Sequence, residues 1–252
     1  MGTLLAGAMA TLVFCAPGYP GAAGDAQPFV DKFATAAASA AGWPAGSLAA
    51  VYDPTEAGGL AKLGNSDAVL AFIPYPFFIE HGTRLHLTPI AQADVAGTGT
   101  QERWTLVAKS GSVIAPPSLA GYTLLSIAGY APQFVRHSAL EGWALPADVR
   151  IESTGQILSA LRRVATGERV AALLDQTQAV ALPTLPFAAQ LKAVTQSAPL
   201  PVALVVVVDS RLPEARLRAF QAGLLKMGHD AALTDTLGAL HLQGFVQPRL
   251  PQ

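Results

Sequence analysis

The segment whose residue types and spacing hold the most chemistry is Pro17-Gly18-Tyr19-Pro20-Gly21-Ala22-Ala23-Gly24, set between an apolar run and a helical pattern. Glycines there let the backbone approach a ligand, and the following helix start offers free N–H groups to an anion. A dinucleotide loop would be helped by Asp53, which ends the next strand where a ribose-binding acid would sit. The spacing departs from G-x-G-x-x-G, Pro20 removes a donor, and Asp25 would repel a pyrophosphate. A nicotinamide or flavin site is therefore the weaker alternative, beside a solute-binding loop and a plain strand-to-helix turn.

Other catalytic patterns are missing. There is no G-x-S-x-G elbow, P-loop or H-E-x-x-H. His81, His86, His137, His229 and His241 do not pair with another His, Cys or carboxylate at a metal-ligand spacing, so each is expected at the surface, with no metal and no cofactor. The single Cys15 excludes an intramolecular disulfide framework. It follows Phe14, where processing of a lipid-bearing cysteine wants a small residue, so Cys15 is expected as a buried hydrophobe of the first strand. Met1 to Ala10 resembles the tail of a secretory signal, with Ala8-Met9-Ala10 fitting an A-x-A cleavage pattern but no positive n-region. The expectation is a signal remnant over 1–10 and an exported, periplasmic protein.

The elements that must position these residues alternate between apolar β-type runs and helical patterns, as in an α/β fold with largely parallel strands. Strands are expected over Thr11–Ala16, Leu48–Tyr52, Ala68–Ile73, from Leu87, and over Trp104–Lys109, Tyr122–Ile127, Val149–Ile151, Val170–Leu174 and Val202–Val208. The last is apolar throughout and belongs in the middle of a sheet. Helices are expected over Asp25–Ala41, Thr55–Leu63, Ala131–Leu140, Gly155–Thr166, Pro186–Lys192 and Pro213–Met227.

With 252 residues the chain holds one large domain or two small ones. At 51% hydrophobic and 13% charged it is not a disordered chain. The prolines at 17, 20, 116, 117 and 132 interrupt its longest uncharged stretches, so no internal membrane span is expected. A net charge of −1 leaves no footprint for nucleic acid or an anionic membrane.

Six segments in order, LVFCAPGYPG, AVYDPTEAGGLAKL, DAVLAFIPYPFF, GERVAALLDQTQAVAL, SAPLPVALVVVVDSRLP and HLQGF, resemble the periplasmic phosphonate-type solute-binding proteins of ABC importers, of the type II periplasmic-binding class. The resemblance covers about Thr11 to Phe245 and implies a two-lobed α/β fold with two hinge crossings, each lobe a mostly parallel sheet flanked by helices. Lobe one would be 11–103 plus 208–252 and lobe two 104–207, with crossings near Thr105–Lys109 and Val202–Val207. A solute such as a phosphonate or phosphate would be held in the cleft by hinge closure, without chemistry, and passed to an ABC permease by a monomeric receptor.

The resemblance further implies a site made from loops after the strands: Tyr19, Asp53, Thr55 and Tyr75 in lobe one, and Ser126, Tyr130 and Asp175 in lobe two. Each has a local alternative: Thr55 as a helix cap, Tyr75 and Tyr130 in packing, Asp175 as a turn former or cap. Two departures bear on the ligand. Ile127, Ala128 and Gly129 follow Ser126 where the family has more hydroxyls, and no Arg or Lys stands in the loops while Asp53 and Asp175 do. An amine-bearing zwitterion or a neutral solute suits these residues as well as an oxyanion. A sensor domain of the same fold and a dinucleotide-dependent oxidoreductase remain the other readings.

Overall fold

Ala10–Cys15 and Ala203–Val208 are buried along their whole length. A strand covered on both faces has to lie inside a sheet with layers on either side, and both do. The computed structural model describes residues 9–18 and 23–251. Tyr19 and the first eight residues of the expected leader lie outside the described residues.

The chain runs β1 (Ala10–Cys15), α1 (Ala23–Ala40), β2 (Leu48–Asp53), α2 (Glu56–Leu63), β3 (Ala68–Pro74), α3 (Tyr75–His81) and β4 (Leu87–Val95). It continues through β5 (Gln101–Glu102), β6 (Thr105–Lys109), β7 (Thr123–Ser126), α4 (Pro132–Phe134), β8 (Arg150–Ser153), α5 (Ile157–Thr166), β9 (Val170–Leu174), α6 (Gln176–Ala181) and β10 (Leu191–Gln196). It returns through β11 (Leu200–Pro201), β12 (Ala203–Val208), α7 (Glu214–Met227), α8 (Thr234–Gly238) and β13 (Leu242–Val246).

Two sheets result, one ordered β13-β4-β12-β3-β1-β2 and the other β10-β6-β9-β7-β8. Each has a parallel half, β3-β1-β2 and β9-β7-β8, extended by antiparallel strands. The chain passes between them through a short ribbon in which Leu200 of β11 pairs with Glu102 of β5 and Pro201 with Gln101. The apolar runs on either side of this ribbon lie within the sheets. A lobe boundary at residue 207 would fall inside β12, which pairs with β3 and β4 of the first sheet.

Helices α1 and α7 cover one face of the first sheet, where Phe33 meets Phe14 edge-on at 5.4 Å and Phe220 meets Trp43 at 5.2 Å. A side chain at Gly223 would stand 2.7 Å from the backbone nitrogen of Ala41, so glycine lets α7 lie directly on the end of α1. On the other face a single buried cluster runs from Val13, Ile73 and Val206 to Leu106 and Leu124 of the second sheet and Phe134 of α4. Helix α5 covers that sheet with Ala160, Leu161, Val164 and Ala165, and ends at Gly167 in the left-handed conformation.

Two local expectations change. Residues 186–192 form a 3-10 turn at Ala188–Gln190 and then enter β10, an edge strand with too weak an apolar alternation to read. His81 is buried rather than superficial, with Nε2 2.8 Å from Glu56 Oε1. No helix among the described residues is long and apolar enough to cross a membrane.

Phe220 is fully buried between α1, Trp43 and the first sheet. Phe220→Ala is expected to cost about 3–5 kcal/mol in urea unfolding; a loss below about 1 kcal/mol would contradict this packing.

Candidate functional site

The parallel halves of the two sheets meet at their strand carboxyl ends, where open α/β sheets bind ligands. After β1 the chain turns through Gly18 at φ 83°, and a Cβ there would lie 2.6 Å from the carbonyl oxygen of Ile127, in the loop after β7. Glycine is needed for both the conformation and the approach. After β3, Tyr75 starts α3 instead of lying in a loop. Its ring stacks on Phe78 at 6.2 Å and meets Phe134 of α4 edge-on at 6.1 Å, and burial pushes its phenol up. Phe134 in turn packs on Trp104 at 5.1 Å, and Glu80 of α3 accepts from the Gln133 backbone N–H at 2.9 Å.

Ser126 ends β7 with no exposure. Its hydroxyl oxygen accepts from the Ala128 N–H at 3.1 Å and its carbonyl from Gly129 and Thr154, which fixes the loop facing Gly18. Tyr130 is half-buried against the same apolar cluster. Tyr75, Ser126 and Tyr130 thus belong to this meeting of the lobes.

Asp53 and Thr55 serve their own turn. Thr55 caps α2 through the Gly58 N–H at 3.1 Å and donates to Asp53 at 2.7 Å, while Lys62 lies 2.5 Å from the other Asp53 oxygen. Burial raises the Asp53 carboxyl, but these hydrogen bonds and the ammonium outweigh it and hold the group below its ordinary value. Asp175 forms a capping box with Gln178 at the start of α6, accepting its N–H at 2.7 Å. Burial nevertheless raises its carboxyl, against the pull of the Gln178 and Thr177 N–H groups.

The residue that sequence reasoning missed is Glu102. It sits in the ribbon between the sheets at 4% exposure, and its Oε1 is buried without a hydrogen-bond partner among the described residues. Burial first, and the Asp175 charge second, push its carboxyl up to about 8, while the Gln176 backbone N–H and the Trp104 indole favour the charged form. The Trp104 Nε1–H is itself buried beside this carboxyl group. Nearby basic groups are committed elsewhere: Arg103 donates to the Ser197 carbonyl at 2.6 Å, and Arg136 to those of Val149 and Pro146. Cys15 is buried and its thiol is pushed up to about 12, by burial and then by Asp53 and Glu56, which makes it inert. Among the described residues no group of three His, Cys, Asp or Glu side chains could hold a metal ion.

No family model matches the chain, and no curated protein does. Solved structures do. A Xanthomonas citri protein bound to chloride ion is 16% identical over 96% of this chain and 92% of its own, with a TM-score of 0.71. A binding protein component of an ABC phosphonate transporter from Pseudomonas aeruginosa is 17% identical over 95% and 82%, with a TM-score of 0.63. A Prochlorococcus marinus protein in complex with methylphosphonate is 12% identical over 96% and 93%, with a TM-score of 0.58. The fold is the two-lobed one of periplasmic binding proteins. Glu102 lies in the ribbon that joins the two sheets, and Trp104 lies just after it.

Glu102 gives this site a pH signature. Its folded value of about 8 exceeds the ordinary 4.5, so between those values the folded state keeps a proton that the unfolded state releases. This contribution favours folding fully below about pH 4.5 and is lost progressively as pH rises to about 8. Glu102→Gln should unfold at a less pH-dependent urea midpoint and gain most over the parent at pH 8; parallel curves for the two proteins would contradict this.

Proposed function

We propose that the chain is a substrate-binding receptor that captures a small solute between its lobes. The observation that carries this reading is the apposition of Gly18 and Tyr75 from lobe one with Ile127 and Phe134 from lobe two at the strand carboxyl ends. Among the described residues the facing side chains named above include no nucleophile with a partnered base, which supports a reading of binding without bond cleavage. The lobes would part and close about the β5–β11 ribbon, as in hinge-type domain closure. Resemblance to importer components supports delivery to an ABC permease at the membrane and residence in the periplasm.

The same resemblance supports an oxyanion as one part of the ligand, met by backbone N–H groups and the hydroxyl of the Ser126–Tyr130 turn. Such a group would be stabilised by dipoles alone, because Lys62, Arg103 and Arg136 are held by other partners. Helix α4 adds little, having only three residues before the π-type turn Val135–Ala139.

A thermal-shift screen of phosphonates, phosphate, sulfonates and amino acids tests the reading. A solute at 100 times its Kd adds about 2.7 kcal/mol, a rise of roughly 5–10 °C in Tm for a chain of this size. Ser126→Ala and Tyr75→Ala should each weaken the effective solute about tenfold. A solute whose shift is the same in both variants binds elsewhere.

A further inference from the structure

We propose that the outer end of the second sheet, where β7, β8 and β9 begin, is a surface that docks on an anionic phospholipid bilayer. A net charge of −1 hides it, because the fold sorts charges that the sequence mixes. In the strand order β10-β6-β9-β7-β8, this end carries Lys192 near the start of β10, Lys109 at the end of antiparallel β6, Arg169 just before β9 and Arg150 at the start of β8. Helix α5 ends there too and adds Arg162 and Arg163. All of these residues are exposed. Strands about 4.8 Å apart set them in a row roughly 19 Å across.

Little at this end neutralises the row. Arg163 is paired with Glu168 at 2.7 Å, and Asp148 lies two residues before Arg150, while Glu152 and Asp175 stand toward the other end of the strands. Lys109, Arg150, Arg162 and Lys192 make no ion pair among the described residues. Arg169 lies over the ring of Tyr122, just before β7, at 5.8 Å.

The apolar groups among these charges favour a bilayer as the partner. The loop from Ser110 to Gly121 joins β6 to β7 along the same end, with Val113 and Leu119 buried and Ile114 80% exposed. An acidic protein would be met by the cations alone. A bilayer meets both features, since its phosphates attract the row and its interface takes up an aliphatic side chain and a tyrosine beside it. The surface lies at the opposite end of the sheet from the seam between the lobes, so docking there leaves the cleft free, and the proposal stands apart from the receptor reading.

Sedimentation of the full chain with vesicles of phosphatidylcholine, alone or with phosphatidylglycerol, tests it. Expected are binding to the anionic vesicles only, and its loss at about 1 M salt, where the screening length falls to about 3 Å. Each cation removed should weaken binding about fivefold, so the triple variant Lys109→Gln, Arg150→Gln, Lys192→Gln should lose roughly a hundredfold. The variant Lys32→Gln, Arg218→Gln, Lys226→Gln removes the same charge from exposed positions of the first lobe and should bind as the parent does. Ile114→Ser should lose about tenfold. The salt dependence is read on the unsubstituted protein and does not depend on how a variant folds. No binding to anionic vesicles at low salt, binding that survives high salt, or equal losses in the two triple variants would overturn the surface. Full binding by Ile114→Ser, with poly-glutamate displacing the vesicles, would give the surface to an acidic protein and overturn the bilayer as its partner.

Discussion

The two lobes depend on a backbone contact. The Ile127 carbonyl occupies the place where a side chain at position 18 would stand, and Gly18 takes a positive φ that a side chain would strain. Around this contact the joining groups are rings, Tyr75 on Phe134 and Phe134 on Trp104. Aromatic pairs contribute about 0.5–1.5 kcal/mol each beyond their buried area. A seam of that strength holds the lobes together yet can open for a few kcal/mol, which is the scale a bound solute supplies.

Charge is scarce, at 13% of residues, and most of it near the cleft is spent on local structure. Lys62 and Asp53 brace the start of α2, Asp175 caps α6, and Arg103 and Arg136 hold carbonyl groups. Glu102 is the exception: it is buried at the junction with Asp175 nearby, and burial pushes its carboxyl up to about 8. In a region built of apolar rings and satisfied backbone, this carboxyl group concentrates the polarity and makes the junction sensitive to protonation.

Much of the frame was legible in the sequence. β1, β3 and β12 are apolar runs that only a covered sheet can hold, and α5 and α7 announce themselves by apolar spacing and by Gly167 and Pro213 at their ends. The short pieces were not. Pro74-Tyr75-Pro76 reads as a turn, yet a proline in the first turn of a helix loses nothing, and α3 begins there. Two-residue strands such as β5 and β11 have no periodicity to detect. Among the site residues, Ser126 ends β7 and Tyr75 opens α3 where a loop was expected, whereas Asp53 and Thr55 complete a turn. Glu102 was invisible because Thr100-Gln101-Glu102-Arg103 is a polar stretch, and nothing in a polar stretch tells which charge the fold will bury.

The central claim is that the lobes close on a solute at this seam. Spin labels at Ala61→Cys in α2 and Gln133→Cys in α4, both exposed and on opposite lobes, test it through the distance distribution between them, since buried Cys15 does not react. The account predicts a broad distribution reaching long separations in the free protein, collapsing to one short separation when a solute active in the thermal screen is added. Identical distributions with and without that solute would contradict it.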